Sequence, residues 1–300
     1  VYVPSFYEAR YDDAGHFAGL EPLVPGAPQL IGRRIVETLP PPLLKPIVPF
    51  LQTVHDRAAV EIQRGCTQGC RFCQAGMIYR PTRERTPEQV VAATRALLEN
   101  TGYDELSLLS LSTTGHSQIV PMIDALNAAF PELKISIPST RVDSFSVDVA
   151  NAVAKGKKHT LTLAPEAGSQ RLRNAINKLV SDADLLGAAE NAFERGWTGI
   201  KMYFMVGLPT ETMDDVAGIV EMAKQVKALG RKHVGGRARV RASTSNHVPK
   251  AHTPFQWARQ ETAAELDPKH RFLRDVCRAA GVEFSWNDSR DSVLEAVFSR

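Results

Sequence analysis

The sequence predicts an α/β fold, a partial (β/α)6 TIM-like barrel of parallel strands with a Pro-rich N-terminal extension. From residue 57 onward, short apolar runs rich in β-branched residues alternate with longer amphipathic stretches, the pattern of parallel βα units. The 300 residues are 43% hydrophobic and 23% charged, so a large core can form and a disordered chain is excluded. Before residue 57, clustered prolines disfavour a helix or a central strand.

The predicted organisation has three parts. Residues 1–56 form a linker or strap, with prolines at positions 40, 41, 42, 46 and 49 and a short helix near 29–38. Because proline-fixed segments lose little entropy when they dock, we expect this strap and Phe50 to lie across the sheet. Residues 57–260 form the barrel core, and residues 261–300 are expected to be a truncated helix–strand–helix continuation.

The elements of the core are predicted in order from the alternating segments. Strands are expected at 58–63, 105–112, 134–138, 159–164, 199–206 and 237–243. Helices are expected at 87–100, 117–129, 146–154, 169–194 with a break near 180, and 211–228. Thr86-Pro-Glu-Gln89 is a capping box, and Ser181-Asp-Ala-Asp184 begins another helix with a hydroxyl and early acids. A helix at 267–280, a strand at 282–286 and a helix from 288 follow, with a break at Gly281.

Charge and hydropathy restrict the class of protein. The formal net charge of +3 requires neither a nucleic acid nor a membrane as partner. No apolar run approaches the ~18 residues of a membrane span, so no membrane partner is expected. The chain starts VYVPSFYEAR, with neither an initiator Met nor a signal sequence. We therefore expect a cytoplasmic protein of which this chain is an excised piece.

Residue types that carry chemistry follow the predicted strands. The segments after the six strands are, in turn, 66–73, 112–116, 139–141, 166–169, 207–212 and 246–257. In a parallel sheet, catalytic parts sit on loops at the carboxyl ends of the strands. We therefore expect these loops to build one site.

Three of the four cysteines lie close together, in Cys66-Thr-Gln-Gly-Cys70-Arg-Phe-Cys73. Disulfides across so few residues would stabilise little, so these thiols are predicted to be metal ligands rather than buried structural thiols. Zinc sites usually take four ligands, often as two pairs, and no second pair is near. Three ligands to a four-iron cluster leave one iron open for reaction. Cys277 is expected to be a buried small hydrophobe.

This spacing, with aromatic Phe72 before the third cysteine, resembles the motif of the radical S-adenosylmethionine (SAM) superfamily. The longer run Val60-Glu-Ile-Gln-Arg-Gly-Cys-Thr-Gln-Gly-Cys-Arg-Phe-Cys-Gln-Ala-Gly76 is similar to its branch of cobalamin-binding enzymes and methylthiotransferases. Within that branch, the sequence looks most like an uncharacterised family whose full-length members carry a cobalamin-binding-like domain before the radical domain. The resemblance covers about residues 45–300. It implies that this chain is a fragment without the upstream domain.

The resemblance implies a 4Fe–4S cluster on Cys66, Cys70 and Cys73, with SAM chelating the fourth iron. One electron from the reduced cluster would cleave SAM to a 5′-deoxyadenosyl radical, which abstracts a hydrogen atom from an unknown substrate. The protein orients the cofactor and excludes water. An electron donor of the flavodoxin or ferredoxin type is the implied partner, and cobalamin is implied only for the full-length protein.

The resemblance also suggests which residues contact SAM. Phe72 would pack near the adenine, and Ser112 and Thr113 stand where relatives have Gly-Gly-Glu, whose backbone binds the amino group. Glu166 would accept hydrogen bonds from the ribose, and Lys178 would pair with the carboxylate. The alternatives are, respectively, a core aromatic, a capped turn, a helix-start acid and a solvated helix charge.

Two further loops carry candidates. Ser139 and Arg141 follow the third strand, where the arginine could bind a carboxylate through two hydrogen bonds or pair with Asp143 at the surface. After the sixth strand, residues 245–257 resemble the branch's Pro-Lys-x-x-Thr-Pro-Phe-Gln-Trp loop. That likeness implies that the backbone near Val248 flanks the adenine, with a stiff surface loop as the alternative. No residue stands out as a catalytic acid, base or radical relay.

Two rival functions compete with a radical enzyme of unknown substrate. The basic stretch 231–241 could contact phosphate, which favours methylation or methylthiolation of an RNA or a ribosomal component. No aromatic residue is interleaved there for base stacking, so a solvated face is the alternative. The second rival is not an enzyme but a noncatalytic iron–sulfur or zinc-binding module.

Overall fold

The computed structural model describes residues 2–51, 53, 56–137, 142, 144–153 and 160–299. The chain divides into two compact units, one ending at Thr38 and the other beginning at Leu39. Within the described residues, no helix has both the length and the apolar composition needed to cross a membrane.

The N-terminal unit contains a β-hairpin. Strand β1 (Tyr7–Tyr11) pairs antiparallel with β2 (Phe17–Pro22). The helix predicted near 29–38 is wrong, because these residues are irregular. A short helix depends on packing an apolar face, and Leu30, Ile35 and Val36 are exposed by 87%, 50% and 65%.

The Pro-rich segment at the start of the second unit docks less than expected. Phe50 is fully exposed, so the prediction that it lies across the sheet is wrong. Arg85 donates a hydrogen bond of 2.5 Å to the carbonyl oxygen of Pro40, which fixes the beginning of the segment. Proline-stiffened backbone presents its apolar side chains in fixed directions, and Ile47 and Leu51 are also exposed.

The second unit consists of βα units in which every strand and helix predicted from residue 57 onward is present. The strands are β3 (Ala58–Glu61), β4 (Gln63–Arg64), β5 (Arg83–Glu84), β6 (Glu105–Leu109), β7 (Lys134–Ser136), β8 (Thr160–Glu166), β9 (Gly199–Val206), β10 (Arg239–Asn246) and β11 (Glu283–Trp286). The helices are α1 (Gln74–Ile78), α2 (Pro87–Thr101), α3 (Ile119–Ala129), α4 (Ser144–Val153), α5 (Gln170–Ala175), α6 (Asp182–Glu194), α7 (Met213–Val234), α8 (Ala263–Ala279) and α9 (Ser289–Phe298).

Two parallel sheets form the unit. One has the order β3-β6-β7 and the other β11-β10-β9-β8, while β4 and β5 form a small antiparallel pair. Among the described residues, no ladder joins β7 to β8, so the strand array is not a closed barrel. The predicted α/β class and the open, barrel-like arrangement of parallel strands are confirmed.

Each sheet packs against helices through its own core. Residues of β3, β6 and β7 pack with α2 and α3, and residues of β8 to β10 pack with α6, α7 and α8. Cys277 is fully buried in the second core, as expected. The capping boxes at Thr86 and Ser181 are both present. The predicted break near 180 is also present, and it separates α5 from α6.

Candidate cofactor and metal site

A cavity of about 310 Å³ lies where the carboxyl ends of both parallel sheets converge. Leu111 and Ser112, which follow β6, line it from one sheet, and Ala164 and Glu166 line it from β8. The rest of its lining includes the cysteine loop and the α5–α6 connection, with Cys66, Gln68, Cys70, Phe72, Cys73, Lys178, Leu179 and Val180. The structure therefore brings together the segments that follow the first, second and fourth predicted strands.

The cysteine loop begins with a glycine that no other residue could replace without rearrangement. Gly65 has a φ of 91°, and a Cβ there would lie 2.7 Å from the carbonyl oxygen of Tyr79 and 2.9 Å from that of Pro81. Within the loop, the sulfur of Cys66 accepts from the backbone N–H of Gln68 at 3.4 Å. The sulfur of Cys73 accepts from that of Gly76 at 3.3 Å, which also caps α1. These N–H donors hold the sulfur atoms of Cys66 and Cys73 in place within the loop.

The α5–α6 connection docks directly on the cysteine loop. Arg71 donates from its backbone N–H to the carbonyl oxygen of Ile176 at 2.9 Å and from its guanidinium to that of Ala175 at 2.6 Å. Asn177 donates from its side chain to the carbonyl oxygen of Gly69 at 2.8 Å. These bonds join segments more than a hundred residues apart in sequence, so the position of Lys178 is tied to that of the cysteines.

Arg173 holds the same connection from inside the protein. Its side chain is fully buried, and it donates to the carbonyl oxygens of Ala167 at 3.0 Å and Val180 at 2.9 Å. It also pairs with Asp182 at the start of α6. A buried guanidinium needs such partners for its donors, so Arg173 is a positioning residue for the loop that carries Lys178.

Glu166 and Lys178 form an ion pair inside the cavity, with 3.2 Å between the ammonium nitrogen and a carboxylate oxygen. Their side chains are only 18% and 21% exposed. The register of β8 against β9 shifts between Leu163 and Glu166, and Glu166 has a φ of 71°. This bulge changes the direction in which the side chains at the end of the strand point. Burial raises the pKa of the Glu166 carboxyl, and the neighbouring Lys178 opposes that rise.

The thiols lie in a partly buried setting. Burial raises the pKa of the Cys70 thiol, Lys178 lowers it, and Glu166 and the two other cysteines raise it further. A bound metal must therefore displace the proton of Cys70. The Lys178 ammonium is the nearby cation that favours the deprotonated form.

The donor set fits an iron–sulfur cluster better than a single metal ion. Among the described residues, the ligand atoms of Glu190, Glu194 and His233 on α6 and α7 all lie within 4.8 Å of one another, and the three cysteines do not form such a group. Ligands of one zinc ion, with Zn–S bonds of about 2.3 Å, must lie closer together than this. As far as the chain is described, the cavity lining supplies three thiols and no fourth cysteine or histidine. Such a set leaves one position of a four-iron cluster open.

The remaining predicted SAM contacts divide into three groups. Ser112 lines the cavity, and its buried hydroxyl has no hydrogen-bond partner among the described residues. Phe72 lines the cavity and also packs against a small core that includes Leu172 and Ile176. Thr113 and Val248 are buried but do not line the cavity. The Thr113 hydroxyl instead bonds to that of Ser110 at 2.9 Å, as a turn residue would.

Other residues of the strand-end loops either are structural or lie outside the described part of the chain. Ser139 and Arg141 lie outside the described residues. His116 uses both ring nitrogens, one with the carbonyl oxygen of Arg85 at 3.1 Å and one with the backbone N–H of Gln118 at 3.0 Å, so it is a structural histidine. Glu211 is buried and accepts from the backbone N–H of Gly207, so it stabilises the turn after β9.

Sequence reasoning missed how the cavity is assembled. It identified Glu166 and Lys178 separately, as contacts of two different parts of SAM, and the structure pairs them with each other. It assigned no role to Arg173 or Asn177, whose bonds fix the loop. The positive φ values of Glu166 and Asn177 left no signal in the sequence except that asparagine tolerates the left-handed region.

Comparisons with known proteins identify the family of this chain. The family model described as the Radical SAM superfamily matches residues 60–223, more than half of the chain. An uncharacterized protein of Methanocaldococcus jannaschii is 30% identical over 241 residues, which are 80% of this chain and 51% of that protein. The threonylcarbamoyladenosine tRNA methylthiotransferase of Treponema pallidum is 25% identical over 59% of this chain and 38% of its own length. The chain thus spans about half or less of these relatives.

A solved structure shares the fold. It is that of the cobalamin-dependent SAM radical enzyme OxsB with aqua-cobalamin and SAM bound. The TM-score is 0.52 at 14% sequence identity, over 76% of this chain and 36% of the other. At this identity, the likeness supports the arrangement of strands and helices and nothing about the substrate.

Proposed function

Because the chain belongs to the radical SAM superfamily, whose members use a 4Fe–4S cluster and SAM, we propose that it is the radical domain of an enzyme that cleaves SAM reductively. When bound, these two groups supply a 5′-deoxyadenosyl radical, which abstracts a hydrogen atom from the substrate. The observation that supports the proposal most directly is that Cys66, Cys70 and Cys73 line one cavity with the Glu166–Lys178 pair. We infer a cytoplasmic enzyme that receives its electron from a flavodoxin or ferredoxin type of donor.

Different side chains around the cavity would bind the cluster and the different parts of SAM. The three thiols would hold the cluster, and Ser112 lines the same space with a buried hydroxyl that has no partner among the described residues. The Lys178 ammonium can bind the SAM carboxylate, and Glu166 can accept from the ribose hydroxyls. Since these two side chains now bond to each other, binding SAM exchanges one ion pair for two charge-assisted contacts. Phe72, with its apolar neighbours, excludes water from the adenine side.

Anaerobic reconstitution with iron and sulfide tests the proposal. We expect about four irons per chain, and production of 5′-deoxyadenosine and methionine when SAM and a one-electron reductant are added. Cys70→Ala should lose both the iron and the cleavage. Cys277→Ala is the matched control, because Cys277 lies in the core behind the sheet and should leave both unchanged. Full iron content in Cys70→Ala, or zinc in place of iron with no cleavage, would refute the proposal and favour a noncatalytic metal-binding module.

Modification of an RNA is the second candidate function. A tRNA methylthiotransferase is among the relatives, and the basic stretch 231–241 is largely exposed. The two substrate classes are separated by adding bulk tRNA to the reconstituted protein. An increase in SAM turnover that salt suppresses steeply supports an RNA substrate. Turnover that is indifferent to tRNA and to salt favours a small molecule.

A further inference from the structure

One face of the four-stranded sheet packs against helices. The opposite face, here called the inner face, carries polar side chains that do not line the SAM cavity. In β9, the even-numbered residues 200–206 pack in the core against the helices, so Lys201 and Tyr203 point to the opposite face. Ala164 shares that face, because Leu161 and Leu163 of β8 are core residues, and beyond the bulge Glu166 joins it in lining the cluster cavity. The inner face therefore continues from the proposed radical site down the strands.

The strand register places residues of the inner face side by side, in rows that run across the strands. Thr162, Lys201, Arg241 and Glu283 lie side by side in one row across four strands. Thr162 pairs with Lys201 and Glu166 with Phe204, three residues further along β9, which is about 10 Å at roughly 3.3 Å per residue. A second cavity of about 280 Å³ opens at this row. We call the charged side chains Lys201, Arg239, Arg241 and Glu283 of this cavity the floor cluster.

The floor cluster has an excess of positive charge. The Arg241 guanidinium donates to the Glu283 carboxylate at 2.5 and 3.0 Å, and Arg239 lies 3.8 Å from the same carboxylate. Lys201 donates to the Tyr203 hydroxyl at 2.6 Å and lies 4.4 Å from the centre of its ring, and within the described chain it pairs with no carboxylate. Three cations thus face one anion.

We propose that the floor cluster is a subsite for a phosphate group of the substrate. This proposal rests on the proposed function, because the inner face leads from this subsite to the radical site. Two uncompensated positive charges match a phosphate monoester, which carries about −1.5 to −2 at pH 7 and three acceptor oxygens. Guanidinium and ammonium donors are the side chains that bind such oxygens best.

The geometry also constrains the rest of the substrate. A molecule anchored at the floor cluster would extend about 10 Å to reach the level of Glu166. On the way it passes a row formed by Tyr203, Ser243 and Ser285, in which the Ser285 hydroxyl donates to that of Ser243 at 3.0 Å. Hydroxyls and one exposed ring suit a polar or nucleoside-like body rather than a lipid.

Phosphate binding can be measured without radical chemistry. Inorganic phosphate is titrated calorimetrically into the cluster-loaded protein without SAM, beside sulfate as a probe of charge alone. Lys201→Met should weaken phosphate binding by about tenfold or more, because one charge-assisted donor is lost. Lys224→Met, which removes an exposed lysine of α7 that pairs with Glu221, is the matched control and should change affinity less than about twofold.

A gain-of-binding variant separates recognition from folding. Glu283→Gln removes the competing carboxylate, so phosphate binding should tighten by about tenfold. An undetectable affinity for phosphate in the unsubstituted protein, or an affinity that Lys201→Met and Glu283→Gln leave unchanged, would overturn the proposal. Equal losses in Lys201→Met and Lys224→Met would also overturn it, because they would show an effect of net charge alone.

Competition identifies the source of the phosphate. A nucleoside monophosphate that displaces inorganic phosphate supports a small substrate, and displacement by an RNA oligonucleotide without terminal phosphates supports a nucleic-acid backbone. SAM cleavage by the unsubstituted protein is measured separately. Phosphate binding without SAM cleavage would refute the proposed function alone, and cleavage without phosphate binding would refute this subsite alone.

Discussion

Glu166 shows at the scale of one residue how this fold prepares a site. A residue other than glycine in the left-handed region costs on the order of 1–3 kcal/mol, so it persists only where its surroundings enforce it. Here the bulge in β8 and the ion pair with Lys178 hold the carboxylate at the cavity. The strain and the buried pair both point to a carboxylate whose position matters more than its contribution to folding.

We predict that Glu166→Gln weakens SAM binding while the cluster assembles normally. The amide keeps the shape of the side chain but loses a charge-assisted acceptor, which should reduce SAM affinity roughly 5- to 150-fold, or about 1–3 kcal/mol. Anaerobic titration with SAM measures the affinity, and iron content reports on the cluster.

The control is Glu221→Gln, which alters an exposed glutamate of α7 paired with Lys224 and should leave SAM binding unchanged. An unchanged SAM affinity in a fully loaded Glu166→Gln protein would reduce Glu166 to a strand-end acid. Loss of iron together with affinity would indicate misfolding instead.

At the scale of elements, the start of α5 is packed against α7 with no room for a side chain. A Cβ on Gly168 would lie 2.3 Å from the backbone nitrogen of Ile219 and 2.4 Å from the carbonyl oxygen of Asp215. We predict that Gly168→Ala destabilises the protein by about 3 kcal/mol or more, because backbone atoms cannot move aside without shifting α7. Urea unfolding measures the change in the free energy of unfolding.

Gly187 in α6 provides the matched substitution. A Cβ there meets nothing within 4 Å, so Gly187→Ala should stabilise the protein by about 0.5–1 kcal/mol through helix propensity. Equal effects of the two substitutions would show that the close approach of α5 and α7 does not determine stability.

Asp215 joins the same two helices and makes stability depend on pH. Burial alone would raise the pKa of this carboxyl, but hydrogen bonds from Ser169, Arg171 and Thr212 lower it to about 2, from an ordinary value of 3.8. The ionised form is therefore favoured by folding, and this contribution is full above about pH 4. It is lost as the pH falls through the interval from 3.8 to about 2.

We predict that Asp215→Asn removes about 2 kcal/mol of stability at pH 7, and that the gap between the two proteins narrows as the pH approaches 2. Unfolding midpoints measured across this range test it. A gap that stays constant with pH would mean that the hydrogen bonds contribute through geometry rather than through the charge.

The elements themselves were predictable from sequence to a greater extent than their connections. Periodicity and capping residues located the helices around Thr86 and Ser181, since these signals act within a few residues. The helix near 29–38 failed because a short helix depends on a packing partner, which local sequence does not specify. The cysteine spacing identified a metal site, but the bonds from Arg71 and Asn177 that orient it depend on tertiary contacts.

At the scale of the whole second unit, the cavity lies where two separately packed halves meet. Each parallel sheet has its own core, and within the described residues no strand ladder crosses from β7 to β8. Ser112 comes from one half, and Glu166 and Lys178 from the other. A ligand that contacts both sides would therefore add to the bonds of Arg71 and Asn177, which already join the cysteine loop to the α5–α6 connection.

We predict that cluster and SAM together stabilise both halves of this unit at once. A ligand at about 100 times its dissociation constant adds about 2.7 kcal/mol, which should raise the melting temperature by about 5 °C or more. Hydrogen exchange should slow both in 110–116, after β6, and in 164–180, from β8 through the α5–α6 connection, because ligand contacts from each half restrict opening. Cys70→Ala should show neither effect when SAM is added. Protection confined to 164–180 would contradict the prediction, since it would mean that SAM binds to one half and leaves Ser112 without a ligand.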